Sequence, residues 1–467
     1  MAPRREPVTD RAVSLSRRTV LALAGVAGCH TVAPSTLLVP RHCPDPSALE
    51  RRRILALPYE KSAFPMGAMA GDVRDDRAVL WTRVGARAQW GLIVIEQAGD
   101  RSRIAYEGPV AVDDDGFVQH ELTGLRSGAR YRYSFVRTVR GMAVARGAGG
   151  RFRAAIHSDS DEPISFGGTS CTSAQWGSEF DTLRRAALCD ELAFFVHAGD
   201  HVYADEARTL ESFRAVYERT FSRTGLRALH ESTSMYVVWD DHEVHNNWDG
   251  ESVDPVRLSA ARRAFLEHHA WTGGWQRPRR LYERFRWGRT IELFVLDARG
   301  ERRPSTRRTP AAQYLSDEQL QWLIDGLRTS EARFKCVVNS VPIARFSGLF
   351  DAAEGDRWQG YPAQRERLLE AIRDVRGVWF LSGDFHLGCV AHVERSGRDQ
   401  RLIEVLMGPG GQLPNPMASL LSPPQYEFAT SDSNWVRFDA DARAESMGVR
   451  FFNESGATLF EREYRSR

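Results

Sequence analysis

Carboxylates, imidazoles, a thiol and a phenol gather at the ends of five short apolar runs in the second half of the chain. Runs 164–168 and 193–196 lead into Thr169-Ser170-Cys171 and His197-Ala198-Gly199-Asp200-His201-Val202-Tyr203. Runs 235–239, 334–338 and 378–381 lead into Asp240-Asp241-His242-Glu243, Asn339 and Ser382-Gly383-Asp384-Phe385-His386. Buried strands of α/β proteins deliver side chains to one crevice at their carboxyl ends. Carboxylate and amide oxygens suit hard cations, whereas thiolate, phenolate and imidazole suit iron, zinc or other transition metals. Cys171, Asp200, Tyr203, Asp241, Asn339, Asp384 and His386 together therefore predict a site for more than one metal ion.

Taken singly, each cluster has a plainer explanation. A Gly-Asp pair after a strand is commonly a turn. Asp-Asp-His-Glu could open a solvated helix, because carboxylates favour its N-terminus. A strand-end Cys commonly packs as a small hydrophobe. Five such ends in one chain favour the metal reading. Asp200 is placed to bridge two ions, and Tyr203, three residues on, turns back to the same region; a tyrosinate would favour iron(III). Asp384 and His386 both face the site only if the chain kinks at Phe385. Arg299 could contact phosphate or form a structural ion pair, and His197, His201 and His245 are expected as supporting or surface groups.

The elements that must hold these residues alternate. From 164 onward strands are interleaved with helical patterns at 180–192, 210–229, 255–269, 316–327 and 362–375. The fourth opens with Ser316-Asp317-Glu318-Gln319, a capping-box pattern, and carries Leu320, Leu323, Ile324 and Leu327 on one face. Such alternation predicts a layered α/β domain. The tail, 435–438, 448–452 and 457–463, returns to strands that extend a sheet. Ahead of this domain, short alternating runs at 78–82, 91–96, 117–122 and 131–136 predict a β-sandwich. Gly124-Leu125 with Tyr131 and Tyr133 is similar to the corner of a fibronectin-type fold. The expected division is an export signal at 1–29, a linker at 30–60, the sandwich at 61–156 and the catalytic domain at 157–467.

The N-terminus reads as an address. Arg4, Arg5, Arg11, Arg17 and Arg18 precede an apolar run at 19–27 that is too short to span a bilayer. Ser16-Arg17-Arg18-Thr19-Val20-Leu21 resembles a twin-arginine export signal, and Val26-Ala27-Gly28-Cys29 resembles a lipoprotein cleavage box that would lipidate Cys29 and anchor the chain to a membrane. A periplasmic or cell-surface location is expected. The 467 residues, 42% hydrophobic and 27% charged, allow two folded units. A net charge of +2 gives no argument for nucleic acid as a partner, and a monomer is expected. Of the cysteines, Cys171 alone sits in a polar turn where its thiol has chemistry to offer.

Gly-Asp-x-x-Tyr at 199–203, Trp-Asp-Asp-His-Glu-Val-x-Asn-Asn at 239–247 and Ser-Gly-Asp-x-His at 382–386 resemble the PhoD-like alkaline phosphatase family of metallophosphatases. Thr169-Ser170-Cys171, Leu296-Asp297-Ala298-Arg299, Asn339-Ser340-Val341-Pro342 and Gly360-Tyr361-Pro362-Ala363 support it, as does 64–84 for the family's sandwich domain. The resemblance implies iron and calcium, with Cys171 and Asp200 on the iron and Asp241, Asn339, Asp384 and His386 holding or adjoining metals. It implies a metal-dependent phosphoesterase that cleaves phosphomonoesters, extending to diesters, by attack of a metal-activated hydroxide. His242 and Asp241 are the expected catalytic residues, His242 protonating the leaving oxygen. One departure stands out: the Tyr that family members carry in the helix before Asp-Asp-His-Glu falls here at Thr220 or Phe221. Either Tyr203 or Tyr217 replaces it, or the metal content differs. The alternatives are an exported protein that binds metal or phosphate without turnover, and a phosphodiesterase specific for phospholipid or wall polymer.

Overall fold

Period-two alternation decides which side of each strand faces which layer. In the computed structural model, residues 46–467 are described apart from 86–87, 99–100, 177, 277–279, 347–354 and 466–467. The export leader, Cys29 and the start of the linker lie outside the described residues. In strand Phe194–Ala198, Phe194, Val196 and Ala198 join a core shared with Leu293, Val295, Cys336 and Val338. Phe195 points the other way, to Leu183, Phe213, Leu229 and Phe265. Across the shared core, Phe294, Val337 and Phe380 turn outward to Leu320, Leu323 and Leu368.

The result is four layers, helix on sheet on sheet on helix. A nine-stranded and a seven-stranded sheet face each other. Helices Asp181–Ala187, Leu210–Phe221, Thr224–Ser232 and Pro255–Glu267 cover the first; Asp317–Thr329 and Pro362–Ala371 cover the second. Within the first, Ile164–Thr169, Phe194–Ala198 and Ser234–Val238 run parallel. Within the second, Ile291–Val295, Phe334–Val338, Val378–Ser382 and Ile403–Leu406 do. The tail strands Asn434–Asp441, Ser446–Asn453 and Thr458–Arg465 extend the nine-stranded sheet in antiparallel fashion.

The pattern at 210–229 gives two helices rather than one. Arg223 is extended, and the Glu179 carboxylate and carbonyl take the amides of Thr224 and Gly225. Those bonds replace the intrahelical ones the break gives up. At 316, half of the capping box forms. Ser316 Oγ accepts from the Gln319 amide at 3.1 Å, but the Gln319 side chain turns to the backbone of Asp297 and so holds the loop that carries Arg299.

The N-terminal strands are divided between two sheets. Ala68–Gly71, Arg77–Arg83 and Phe117–Thr123 continue the nine-stranded sheet, with Ala68–Gly71 parallel to Ser234–Val238. Gln89–Ala98, Arg101–Pro109, Arg130–Val139 and Met142–Arg153 form a separate four-stranded sheet. Leu80 and Val118 of one set pack in a common core with Leu92, Val94, Tyr131 and Phe135 of the other. The Tyr131 hydroxyl accepts the Arg126 amide at 2.8 Å, at the corner that begins with Gly124. The described part of the expected linker, 46–60, winds into short helical turns whose Ile54 is buried against Ile93, Ile95 and Val136.

Candidate active site

The expected ligands converge where the parallel strands of both sheets end, and the backbone is bent to bring them there. Cys171, Asp200, Asp384 and His386 all have positive φ, between 52° and 68°. Non-glycine residues rarely adopt this region, and they hold it at sites where the surroundings over-determine it. The expected kink at Phe385 is made on both sides of it, by Asp384 and His386. It lets both side chains face inward.

Among the described residues, three groups of donor atoms lie within 4.8 Å of one another: Cys171, Asp200 and His386; Asp200, Asp241 and His242; and Asp240, Asp241 and Asp384. Asp200 and Asp241 each appear twice and link the groups into one chain of donors. Tyr203 joins the first group: its hydroxyl is 3.0 Å from Asp200 Oδ2 and 2.9 Å from His386 Nε2. Tyr217 does not. Its ring stacks on His268 in the helical layer and its buried hydroxyl has no partner among the described residues. Thr220 bonds back to the Val216 carbonyl, and Phe221 packs on His201 and His230. Tyr203 is therefore the phenol at this site.

Asn339 is buried at the end of its strand, its amide nitrogen bonded to the Val341 carbonyl and its Oδ1 without a partner among the described residues. Asp241 Oδ1 is likewise buried and has no partner among the described residues. Orphaned buried oxygens are rare, and two of them among the expected ligands fit coordination to a cation. The charges agree. The cationic side chains that pair with Asp200, Asp240, Asp241 and Asp384 among the described residues are Arg299 and His242. Burial pushes the Asp200 and Asp384 carboxyls, the Cys171 thiol and the Tyr203 phenol well above their usual ranges, and neighbouring carboxylates push the same way. Buried negative donors in such excess fit bound cations.

Arg299 is fully buried and forms the structural ion pair rather than a free phosphate contact. It donates to Asp240 at 2.6 and 3.1 Å and to Asp384 at 3.3 Å, and it also binds Asp356. Asp240 further accepts from Ser340 Oγ at 2.7 Å. The sequence reading missed Asp240, Asp356 and Asp205. Asp205 lies in a loop with no period to reveal it, yet its carboxylate takes His242 Nδ1 at 2.8 and 2.9 Å and the Asn246 amide at 2.7 Å. His242 also stacks on the Tyr203 ring at 4.1 Å. Burial opposes its charge, but the Asp200, Asp205 and Asp241 carboxylates outweigh it and hold the imidazole up at about 10. His386 is the opposite case: burial and the charge of His242 bring it down to about 4. A neutral imidazole can act as a ligand.

His197 and His201 lie beneath the site, and His245 stands near its edge with Nδ1 3.0 Å from the Asn246 carbonyl. A chain of buried imidazoles runs from His269 through His201 to His230, with contacts of 3.0 and 3.3 Å. Its proton positions follow from the acceptors. His269 Nδ1 must donate to the Phe265 carbonyl, so its Nε2 accepts from His201 Nδ1–H. His201 Nε2 then accepts from His230 Nε2–H. Burial, which lowers all three and brings His269 to about 4, keeps them neutral.

The chain matches the family described as PhoD-like phosphatase over residues 166–414, and that family's N-terminal domain over residues 50–156. It belongs to the PhoD-like phosphatase family. It is 27% identical over 388 residues to alkaline phosphatase D of Bacillus subtilis (strain 168), an alignment covering 70% of this chain and 65% of that relative's length. Among solved structures it resembles PhoD, with a TM-score of 0.72 and 23% identity over 87% of this chain and 90% of that one. It also resembles purple acid phosphatase PPD1 from yellow lupin (Lupinus luteus) seeds, with a TM-score of 0.63 and 13% identity over 85% of this chain and 73% of that one. At these identities the two structures speak for the fold.

Proposed function

We propose that this chain is an exported, metal-dependent phosphoesterase that hydrolyses phosphomonoesters and extends to phosphodiesters. The observation that carries the reading is the continuous donor chain from Cys171, Tyr203 and His386 through Asp200 and Asp241 to Asp240 and Asp384. Cys171, Asp200, Tyr203 and His386 would hold one ion, iron(III) by donor type. Asp241, Asp384 and Asn339 would hold harder cations such as calcium, with Asp200 between the two. Ions bound there would neutralise phosphate oxygens and lower the pKa of water.

The chain's own residues do the rest. Asp205 fixes His242 Nδ1, which leaves Nε2 to present a proton to the departing ester oxygen. Tyr203 stacks under that ring and limits its rotation. Arg299 keeps Asp240 and Asp384 in place from below. The seven strands from Ala68 to Arg153 act as a fibronectin-type scaffold, and the leader exports the chain, with Cys29 as a lipid anchor outside the cytoplasm.

The test combines elemental analysis of purified protein with hydrolysis of p-nitrophenyl phosphate and bis-p-nitrophenyl phosphate, with and without added calcium. Bound iron with calcium-dependent hydrolysis supports the reading. Bound metal with no hydrolysis of either ester would replace it with a binding protein on the same fold.

A further inference from the structure

One buried carboxylate touches the loops of two different strands. Glu243 is fully buried, and no catalytic role described above uses it. Its Oε1 accepts the His201 amide at 2.6 Å. Its Oε2 accepts the Asp240 amide at 2.7 Å and the Asp200 amide at 3.3 Å. The first and last of these amides belong to the turn after Phe194–Ala198, and the Asp240 amide to the turn after Ser234–Val238. Asp200 holds a positive φ of 56° in the first turn, a conformation that needs an external restraint. The His201 side chain is gripped from the other side by His269 and His230.

We infer that Glu243 is the positioning residue that sets the spacing between Asp200 and Asp241, and thereby the spacing of the ions that these residues would hold. The inference rests on the metal reading of the site and deepens it. A carboxylate is required because all three partners are N–H donors and both oxygens must accept. In Glu243→Gln one end becomes an amide that can only donate, so it faces either His201 N–H or the Asp200 and Asp240 N–H pair and pushes one loop away. Residues that support metal ligands typically contribute ~10–100-fold in metal affinity.

The test titrates metal-free protein with manganese(II) alone, by calorimetry and by electron paramagnetic resonance, which reports coupling between neighbouring ions. The comparison variant is Glu427→Gln, which removes a partly buried carboxylate with three side-chain partners away from the site. Both variants are expected to lower the melting temperature of metal-free protein. Glu243→Gln alone is expected to weaken one manganese equivalent by ~10–100-fold and to diminish the coupling signal. Should it not fold, Glu243→Asp carries the test: its shortened carboxylate reaches one loop only, and an intermediate loss of affinity is expected. Wild-type affinity and coupling in whichever variant folds would overturn the role of Glu243 alone. Wild-type protein that takes up neither manganese(II) nor iron and calcium would overturn the metal reading, and this role with it.

Discussion

The Tyr203 hydroxyl stands 2.9 Å from Nε2 of His386, across 183 positions of sequence. Tyr203 follows a strand of the nine-stranded sheet and His386 one of the seven-stranded sheet, so the contact closes the seam between them. If this phenol is an iron ligand, Tyr203→Phe should bleach the visible charge-transfer band of the iron-loaded protein, and Tyr217→Phe should leave it intact. The reverse pattern in an absorption spectrum would make Tyr217 the ligand and overturn the choice of Tyr203.

Asp200→Ala and Asp241→Ala should abolish turnover in protein that still folds. Each removes an oxygen shared by two of the three donor groups. The loss should exceed the ~10–100-fold typical of residues that only support a ligand. Ester hydrolysis measured beside circular dichroism checks this, and full activity in either variant would sink the assignment.

The role of His242 can be read from leaving groups. An acid that protonates the departing oxygen contributes ~10²–10⁴-fold when that oxygen is basic. His242→Ala should therefore slow alkyl phosphates strongly and p-nitrophenyl phosphate little, and Asp205→Asn should move both in the same direction. Equal losses on all esters would indicate a binding role instead.

Arg299→Met would leave Asp240, Asp241, Asp356 and Asp384 without their shared guanidinium. Breaking a buried ion pair by removing one partner costs ~3–5 kcal/mol. Urea unfolding of metal-free protein should show a loss of that order, and calcium should restore part of it by binding the folded state. A change within ~0.5 kcal/mol, the range of a surface substitution, would count against Arg299 as the charge centre.

Far from the site, His392 donates to Glu427 at 2.8 Å, and that bond raises the imidazole above its ordinary 6.5. Glu427 is half-buried; burial alone would raise it, but His392, Tyr464 and Arg462 hold it below its ordinary 4.5. The His392 contribution is therefore complete below pH 6.5 and is lost as pH rises through the raised folded value. The Glu427 contribution is present above 4.5 and is lost as pH falls. The melting-temperature gap between wild type and His392→Gln should thus be widest between those two values and shrink on the alkaline side. A gap independent of pH would show that the pair does not titrate.

Much of the site was legible because strand ends are. Apolar runs of four or five residues locate the carboxyl ends of buried strands, and the polar clusters that follow are brought to one crevice; that rule pointed to Cys171, Asp200, Asp241, Asn339 and Asp384, though it passed over Asp240 at the head of its own cluster. It could not find Asp205 or Asp356, which reach the site from loops whose paths depend on tertiary bonds. Nor could it choose between Tyr203 and Tyr217, since the choice turns on tertiary packing: Tyr217 stacks on His268 in the helical layer, whereas Tyr203 reaches His386 across the two sheets. In the N-terminal part, alternation gave the strands and the corner at Tyr131. It did not give their partners, because a short apolar run carries no mark of the sheet it joins, and Ala68–Gly71 and Arg77–Arg83 are buried on both faces.

That partnership bears on how the chain can be divided. Ala68–Gly71 lies between Ser234–Val238 and Arg77–Arg83, so it is an interior rung of the sheet that carries Asp240 and Asp241. A fragment starting near 157 would leave Ser234–Val238 as a bare edge with unpaired amides and carbonyls, open to pairing with another copy. The turn that bears Asp240 and Asp241 thus rests on a strand whose neighbour comes from the N-terminal part of the chain, and the two parts are expected to fold as one unit.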